Sequence, residues 1–281
     1  MRLKCNAKIN LCLWVKGKRE DGYHLLDGVM QSVDIFDIIT VNKATKITVE
    51  CSNKEFSGEK NIAFTAAKVF FEATKITGGA KIFIEKGIPD AAGLGGGSAD
   101  AAGVLLALNK LYKTDLSSAE LSKLAVRLGA DVPFFIEGGT MRARGVGEIL
   151  DKLPCPSGIY FLIAKDGVKP STAQMYRHLD NLENPYIPNT EEFVKALSCQ
   201  NIDLALTHIG NSFQSVTGLY GIDEVLNGTN YNAICLSGSG PSVFAVYKDE
   251  NDANTALKLL KSKGITAFKS VPIKQSIEII E

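Results

Sequence analysis

Residues 89–99, PDAAGLGGGSA, carry four glycines in the five positions from Gly93 to Gly97, directly ahead of an Ala- and Leu-rich run. Glycines let backbone N–H groups come close to an anion, and a helix starting behind them offers the positive end of its dipole. That combination suits phosphate. Ser98 adds a hydroxyl for a phosphate oxygen or for a phosphate-bound magnesium ion. Two familiar phosphate loops are excluded. No Lys lies in the segment, so it is not a Walker sequence. The third glycine of a dinucleotide fingerprint would fall on Ser98 or Asp100. The remaining alternative is a sharp strand-to-helix turn with no ligand. Four glycines are an entropically costly way to build one, so phosphate binding is expected.

The elements that must position this loop follow from hydrophobic period. AKINLCLWV (7–15) alternates as a half-buried strand does, and KGKREDGYH follows as a polar loop with a D-G turn. VMQSVDIFDIITVNKA reads as one or two strands and KITVEC as another. NIAFTAAKVFFEATKI places Ile62, Ala66, Val69, Phe70 and Ala73 on one helical face. AKIFIEKGIP is a strand running into the loop, and ADAAGVLLALNKLY is the helix behind it. SSAELSKLAVRLGA is a further helix, with a capping box from Ser117 to Glu120 and Gly129 as its C-terminal cap. KLPCPSG (152–158) reads as a linker. Beyond it come a strand (IYFLIAK), a mainly helical stretch, two strands joined by the glycine turn of LSGSGPS, a helix (ANTALKLLKSKG) and a last strand (ITAFKSVPIK). This predicts an α+β chain of two domains, 1–153 and 154–281, sharing a cleft.

Composition narrows the class. The 281 residues are 45% hydrophobic and 22% charged, with 31 basic and 31 acidic side chains. A zero formal balance argues against a nucleic-acid partner. The six cysteines include no C-x-x-C pair, which predicts reduced, buried thiols in a cytoplasmic protein. No segment reads as a signal peptide or a membrane span. Oligomeric state is not legible.

PDAAGLGGGSADAA resembles the phosphate loop of the GHMP kinases. AKINL (7–11), DGYH (21–24), LGADVPFF (128–135), GVGEIL (145–150) and LSGSGPSVF (236–244) fall in the order found in one branch of that family, so the resemblance spans nearly the whole chain. It implies a ribosomal-protein-S5-domain-2-like N-terminal domain and a ferredoxin-like C-terminal domain. It further implies ATP-dependent phosphorylation of the 2-hydroxyl of 4-diphosphocytidyl-2-C-methyl-D-erythritol, in the non-mevalonate route to isoprenoids. The competing readings are another GHMP kinase of homoserine or mevalonate type, and a nucleotide-binding regulator without activity. DGYH favours the first reading, because a small acid needs no base-reading loop.

Transfer of a phosphoryl group to an alcohol needs in-line positioning, charge neutralisation and a place for the hydroxyl proton. Taken alone, Lys8 reads as a strand-edge lysine and Asp131 as a turn residue. With the resemblance they become the catalytic pair, Asp131 as general base and Lys8 as its electrostatic partner. Asn10, two residues along the strand, shares the face of Lys8 and is expected to hold substrate. The ATP side is assigned to Pro89, Asp90, Ala91, Ala92, Gly93, Leu94, Gly95, Gly96, Gly97, Ser98 and Ala99, with Asn61 and Lys86 on the nucleotide-side wall. Asn61 as a helix start and Lys86 as a solvated strand end are the bland alternatives. By resemblance His24, next to Tyr23, reads the cytosine edge, and Tyr176 supplies an aromatic to sandwich the base; a helix-face aromatic is the other reading of Tyr176. No dedicated metal site is predicted: Mg2+ arrives with ATP, with Ser98 as a protein ligand.

Asp90-Ala91-Ala92 departs from relatives that have Met or Ala and another Gly there, which predicts a small change of loop conformation. Residues 181–200 match no pattern. Valine at Gly95 or Gly96 is expected to weaken ATP binding with little effect on stability, and substitution at Gly103 to do the reverse.

Overall fold

Alternating apolar residues draw the first forty positions into two long antiparallel strands, β1 (Arg2–Lys18) and β2 (His24–Ala44). The turn between them contains Asp21-Gly22, with Gly22 at φ 88°. A computed structural model describes residues 1–168 and 170–281. After β2 come β3 (Thr48–Cys51), α1 (Ile62–Thr74), β4 (Gly79–Glu85), α2 (Gly96–Tyr112), α3 (Ser118–Val126), α4 (Val132–Glu137), β5 (Thr140–Gly145) and β6 (Ile149–Leu153). The chain continues through β7 (Tyr160–Lys165), α5 (Thr172–Asp180), α6 (Thr190–Ser198), α7 (Ile202–Thr207), β8 (Gly210–Asn211), α8 (Gln214–Thr217), α9 (Ile222–Leu226), β9 (Ala233–Leu236), β10 (Ser242–Tyr247), α10 (Glu250–Ser262), β11 (Thr266–Ser270) and β12 (Ile277–Ile279).

Two sheets result. The first has eight strands in the order β12-β1-β2-β4-β3, with β5 and β6 continuing beside the N-terminal half of β2 and β8 pairing with β1. The second is β11-β7-β10-β9. Two short strands from beyond residue 154, β8 and β12, therefore return to the first sheet, and ITAFKSVPIK is not the last strand. The helix α4 and the β5–β6 hairpin were not legible in the sequence. The capping box at Ser117 forms, but α3 ends on Arg127 rather than at Gly129.

Three apolar clusters hold these layers. Leu3, Cys5, Ile39, Ile82 and Ile84 of the first sheet pack on the small residues of α1 and α2. Ala7, Ile9 and Leu11 of β1 pack instead with Phe161, Ile163, Phe244 and Val246 of the second sheet. The intervening positions of those strands, Leu162, Ala164, Val243 and Ala245, face α5, α9 and α10, as a period of two requires. The pairing of β1 with β2 is irregular at Asn6/Ala7 and again between Asn10 and Cys12. Odd-numbered residues face the helices before the first irregularity and the second sheet after it. Lys8, an even position, is thereby turned toward the helix side, under the glycine loop.

Four thiols are buried as expected, while Cys199 is exposed, and all six are free. Among the described residues no helix is long and apolar enough to cross a membrane.

Helix α2 meets β1 closely at Gly103, where a Cβ would lie 2.5 Å from Cys5 Sγ and 2.7 Å from Ile39 Cδ1. Gly103→Ala is expected to cost about 1–3 kcal/mol through overpacking and to lower the thermal midpoint by several degrees. Nucleotide affinity, read by calorimetric titration with a non-hydrolysable ATP analogue, should stay unchanged.

Candidate active site

A cleft of about 1150 Å³ runs between the two sheets, larger than the usual range for a single small ligand. Its walls carry Lys8 and Asn10 from β1, Tyr23 and His24 from the first turn, and Ala91, Gly93, Gly95 and Ser98 from the glycine loop. Asp131, Tyr176, Gly238 and Ser239 complete them.

The loop is pegged on both sides. Ile88, Ala92 and Leu94 bury their side chains in the core shared by the two sheets. The amide of Lys8 donates to the Leu94 carbonyl at 2.9 Å, the amide of Ser242 to Ala92 at 3.3 Å, and the Ser237 hydroxyl to Gly93 at 3.4 Å. Lys165 Nζ donates to the Asp90 carbonyl at 2.5 Å. With these carbonyls held by protein, the N-cap of α2 is Gly95, which makes no side-chain cap. The first amides of the helix are left for a ligand, as a phosphate site requires.

The glycines differ in what they permit. Gly93 (φ 75°) packs on the turn after β9, where a Cβ would lie 2.7 Å from the Ser237 carbonyl oxygen. Gly95 (φ 77°) would drive a Cβ to 2.6 Å from Phe135 Cζ, and Gly96 to 3.2 Å from Ile88 Cγ2. The expectation that valine at Gly95 spares stability is therefore overturned: backbone strain and a clash with Phe135 would reach the core. Gly97 is open, with Ile62 Cγ2 at 3.5 Å its nearest neighbour. Ala91 adopts φ 50°, a left-handed conformation that costs a residue with a Cβ about 1 kcal/mol.

Lys8 is 3% exposed. Its ammonium donates to Asn10 Oδ1 at 2.7 Å and lies 3.5 Å from Asp131 Oδ2. Asp131 is the N-cap of α4 and makes no capping bond, and Pro133 follows in the first turn. Its carboxylate, 43% exposed, is thus free to face the cleft. At the far end His24 stacks on Tyr176, with ring centroids 4.3 Å apart and planes at 21°. Tyr176 meets Phe213 edge-on. Burial and then the Asp131 charge push the Tyr176 hydroxyl well above its usual range. No slot remains between the His24 and Tyr176 rings, so they do not form a base sandwich with each other.

Asn61 caps α1, accepting from the Ala63 amide at 2.9 Å, and Lys86 is turned beneath the loop; neither lines the cleft. Lys86 pairs with Asp37 and, at 3.2 Å, with Asp100. It is not a solvated strand end. Asp37 also accepts from the amides of Gly87 and Ile88 at 2.7 and 2.8 Å, whereas Asp100 Oδ1 is buried without a partner among the described residues. Burial and then the Asp37 charge push the Asp100 carboxyl well above the usual carboxylate range. The sequence reading missed Asp37, Asp100, Lys165 and Asp180. Asp180 stands four residues after Tyr176 on a helix, a spacing that places both on one face.

Other proteins built on this plan are GHMP kinases, and the family profile "GHMP kinases N terminal domain" matches residues 61–139. A homoserine kinase from Cytophaga hutchinsonii shares the fold at a TM-score of 0.80 with 20% identity, covering 100% of this chain and 97% of its own. Identity narrows the branch. The 4-diphosphocytidyl-2-C-methyl-D-erythritol kinase of Alkaliphilus metalliredigens is 41% identical over 268 residues, 92% of each chain. The enzyme of that name from Clostridium botulinum is 39% identical over 95% of this chain and 98% of its own. A crystal structure of a 4-(cytidine 5'-diphospho)-2C-methyl-D-erythritol kinase superposes with a TM-score of 0.79 at 31% identity, covering 97% of this chain and 100% of the other. The chain belongs to the 4-diphosphocytidyl-2-C-methyl-D-erythritol kinase family and is an ATP-dependent small-molecule kinase.

The two carboxylates beneath the loop should respond differently to amide replacement. Asp100→Asn, which mimics the neutral acid, is expected not to destabilise the fold. Asp37→Asn, which strips a buried cation of its main partner, should cost about 3 kcal/mol or more. Because the Asp100 pKa is raised in the folded state, its ionisation opposes folding as pH rises. Asp100→Asn should therefore gain stability relative to wild type as pH rises above the unfolded carboxyl value of 3.8, as read by thermal melts across pH.

Proposed function

We propose that the chain transfers the γ-phosphoryl group of ATP to the 2-hydroxyl of 4-diphosphocytidyl-2-C-methyl-D-erythritol, a step toward isoprenoid precursors in the cytoplasm. Family membership supports the substrate. The observation that carries the chemistry is a buried ammonium, Lys8, held 3.5 Å from the Asp131 carboxylate, with its side chain packed against Gly95 of an uncapped helix start. In this reading residues 1–153 supply the loop and the pair, and residues 154–281 the opposite wall.

ATP phosphates lie on the amides at the start of α2, whose dipole and backbone replace a Walker lysine. Asp131 accepts the proton of the acceptor hydroxyl. The freed oxygen lone pair forms the new bond to γ-phosphorus as the bond to the ADP oxygen breaks. Lys8 faces the Asp131 carboxylate at 3.5 Å and offsets charge on the transferring group. Asn10 fixes Lys8 and sits where it can hold substrate. Among the described residues no cluster of three acidic, His or Cys ligands exists for a metal. Mg2+ would be held by phosphate oxygens and the Ser98 hydroxyl, where it neutralises charge on the leaving ADP. At the other end His24 meets cytosine by its edge, with Tyr23, 65% exposed, available to cover the base.

Asp131→Asn is expected to fold and bind ATP while turnover falls by about 10²-fold or more, because an amide cannot take up the proton. Near-wild-type ADP release would remove Asp131 as the base. Gly97→Val tests the loop without the clash at Gly95. It should weaken binding of a non-hydrolysable ATP analogue at least about tenfold with little change in thermal midpoint, and unchanged affinity would mean that the loop is only a turn.

A further inference from the structure

His24, at the start of β2, and Asp180, at the end of α5, meet across the cleft with Nε2 and Oδ1 2.7 Å apart. The other Asp180 oxygen is 3.8 Å from Lys18 Nζ. The imidazole side chain is 9% exposed, packed flat on Tyr176. Its Nδ1 makes no hydrogen bond to the protein among the described residues, and His24 lines the cleft.

These contacts decide where the imidazole proton resides. A carboxylate only accepts, so Nε2 carries the hydrogen. In the neutral ring with Nε2–H, Nδ1 holds a bare lone pair and can only accept. An acceptor at that place suits a pyrimidine that presents an amino group. Cytosine presents its N4 amine; uracil presents O4, a second acceptor, at the same position. Two acceptors left facing each other are disfavoured, because neither finds a donor there.

We infer that Asp180 is a positioning residue that fixes the Nε2–H tautomer of His24 and thereby makes the site select an amino-pyrimidine over an oxo-pyrimidine. This rests on His24 reading the base, as proposed above. With Asn at 180 the amide can either accept from Nε2–H or donate to Nε2. The second arrangement moves the ring hydrogen to Nδ1, which then donates toward O4.

The chain has three histidines, so 15N-histidine spectra can be assigned by the signal lost in His24→Gln. In mildly alkaline buffer wild-type His24 is expected as the neutral Nε2–H tautomer, and Asp180→Asn as a mixture or as Nδ1–H. The ratio of kcat/KM for the cytidine diphosphate substrate to that for its uridine counterpart should fall at least about tenfold in Asp180→Asn, with KM for ATP unchanged. A wild-type His24 that is Nδ1–H or doubly protonated overturns the inference, as does a ratio within twofold of wild type in the variant. If Asp180→Asn does not fold, the wild-type tautomer decides. His24→Ala, which brings no acceptor of its own, separates the two levels. An unchanged KM for the cytidyl substrate removes base reading altogether. A raised KM beside an intact ratio in Asp180→Asn removes only the part assigned to Asp180.

Discussion

An amine held inside a β-sheet sets the terms for everything around it. Burying the Lys8 ammonium is costly unless hydrogen bonds and an opposite charge compensate. Asn10 and Asp131 provide them, and each depends on a different piece of fold. Asn10 reaches Lys8 because both belong to the short stretch of β1 between two pairing irregularities. Asp131 reaches it because α4 begins there with no side-chain cap. The same lysine is used twice: its side chain holds the carboxylate, while its backbone amide holds the Leu94 carbonyl of the loop. One residue thus ties the Asp131 carboxylate to the glycine loop.

A second set of charges lies below. Lys86 serves both Asp37 and Asp100, and two ionised carboxylates around one cation would leave net negative charge under a surface meant for anions. Burial and the Asp37 charge raise the Asp100 pKa, which favours its neutral form over a second charge beside Asp37.

The loop, the helix behind it and the alternating strands were legible because each rests on local period and glycine chemistry. The paired roles of Lys8 and Asp131 were not legible from either residue alone; a lysine in a strand reads as an edge, and an aspartate before proline as a turn. What reverses that is tertiary: the pairing irregularity at Asn6/Ala7 that turns Lys8 inward. The Asp37–Lys86–Asp100 group left a faint trace, charged residues in the apolar strand VDIFDII and the small-residue helix start SADAAG. Short elements escaped altogether. The two residues of β8 and the three of β12 are too short to show a period, and only pairing with β1 makes them strands. The expected tolerance of valine at Gly95 treated the loop as a poor contributor to the core, whereas Phe135 packs against it.

The buried pegs at Ile88, Ala92 and Leu94 bear on affinity as well as shape. A free segment of four glycines loses a large conformational entropy when it closes around a ligand, about 1–2 kcal/mol per residue fixed. Here that loss is met when the chain folds, out of the apolar burial of neighbouring side chains, before any nucleotide arrives. In the proposed reading, the interaction energy of the phosphates is then not consumed in ordering the loop. It remains available for the strained, charge-separated arrangement through which the phosphoryl group must pass.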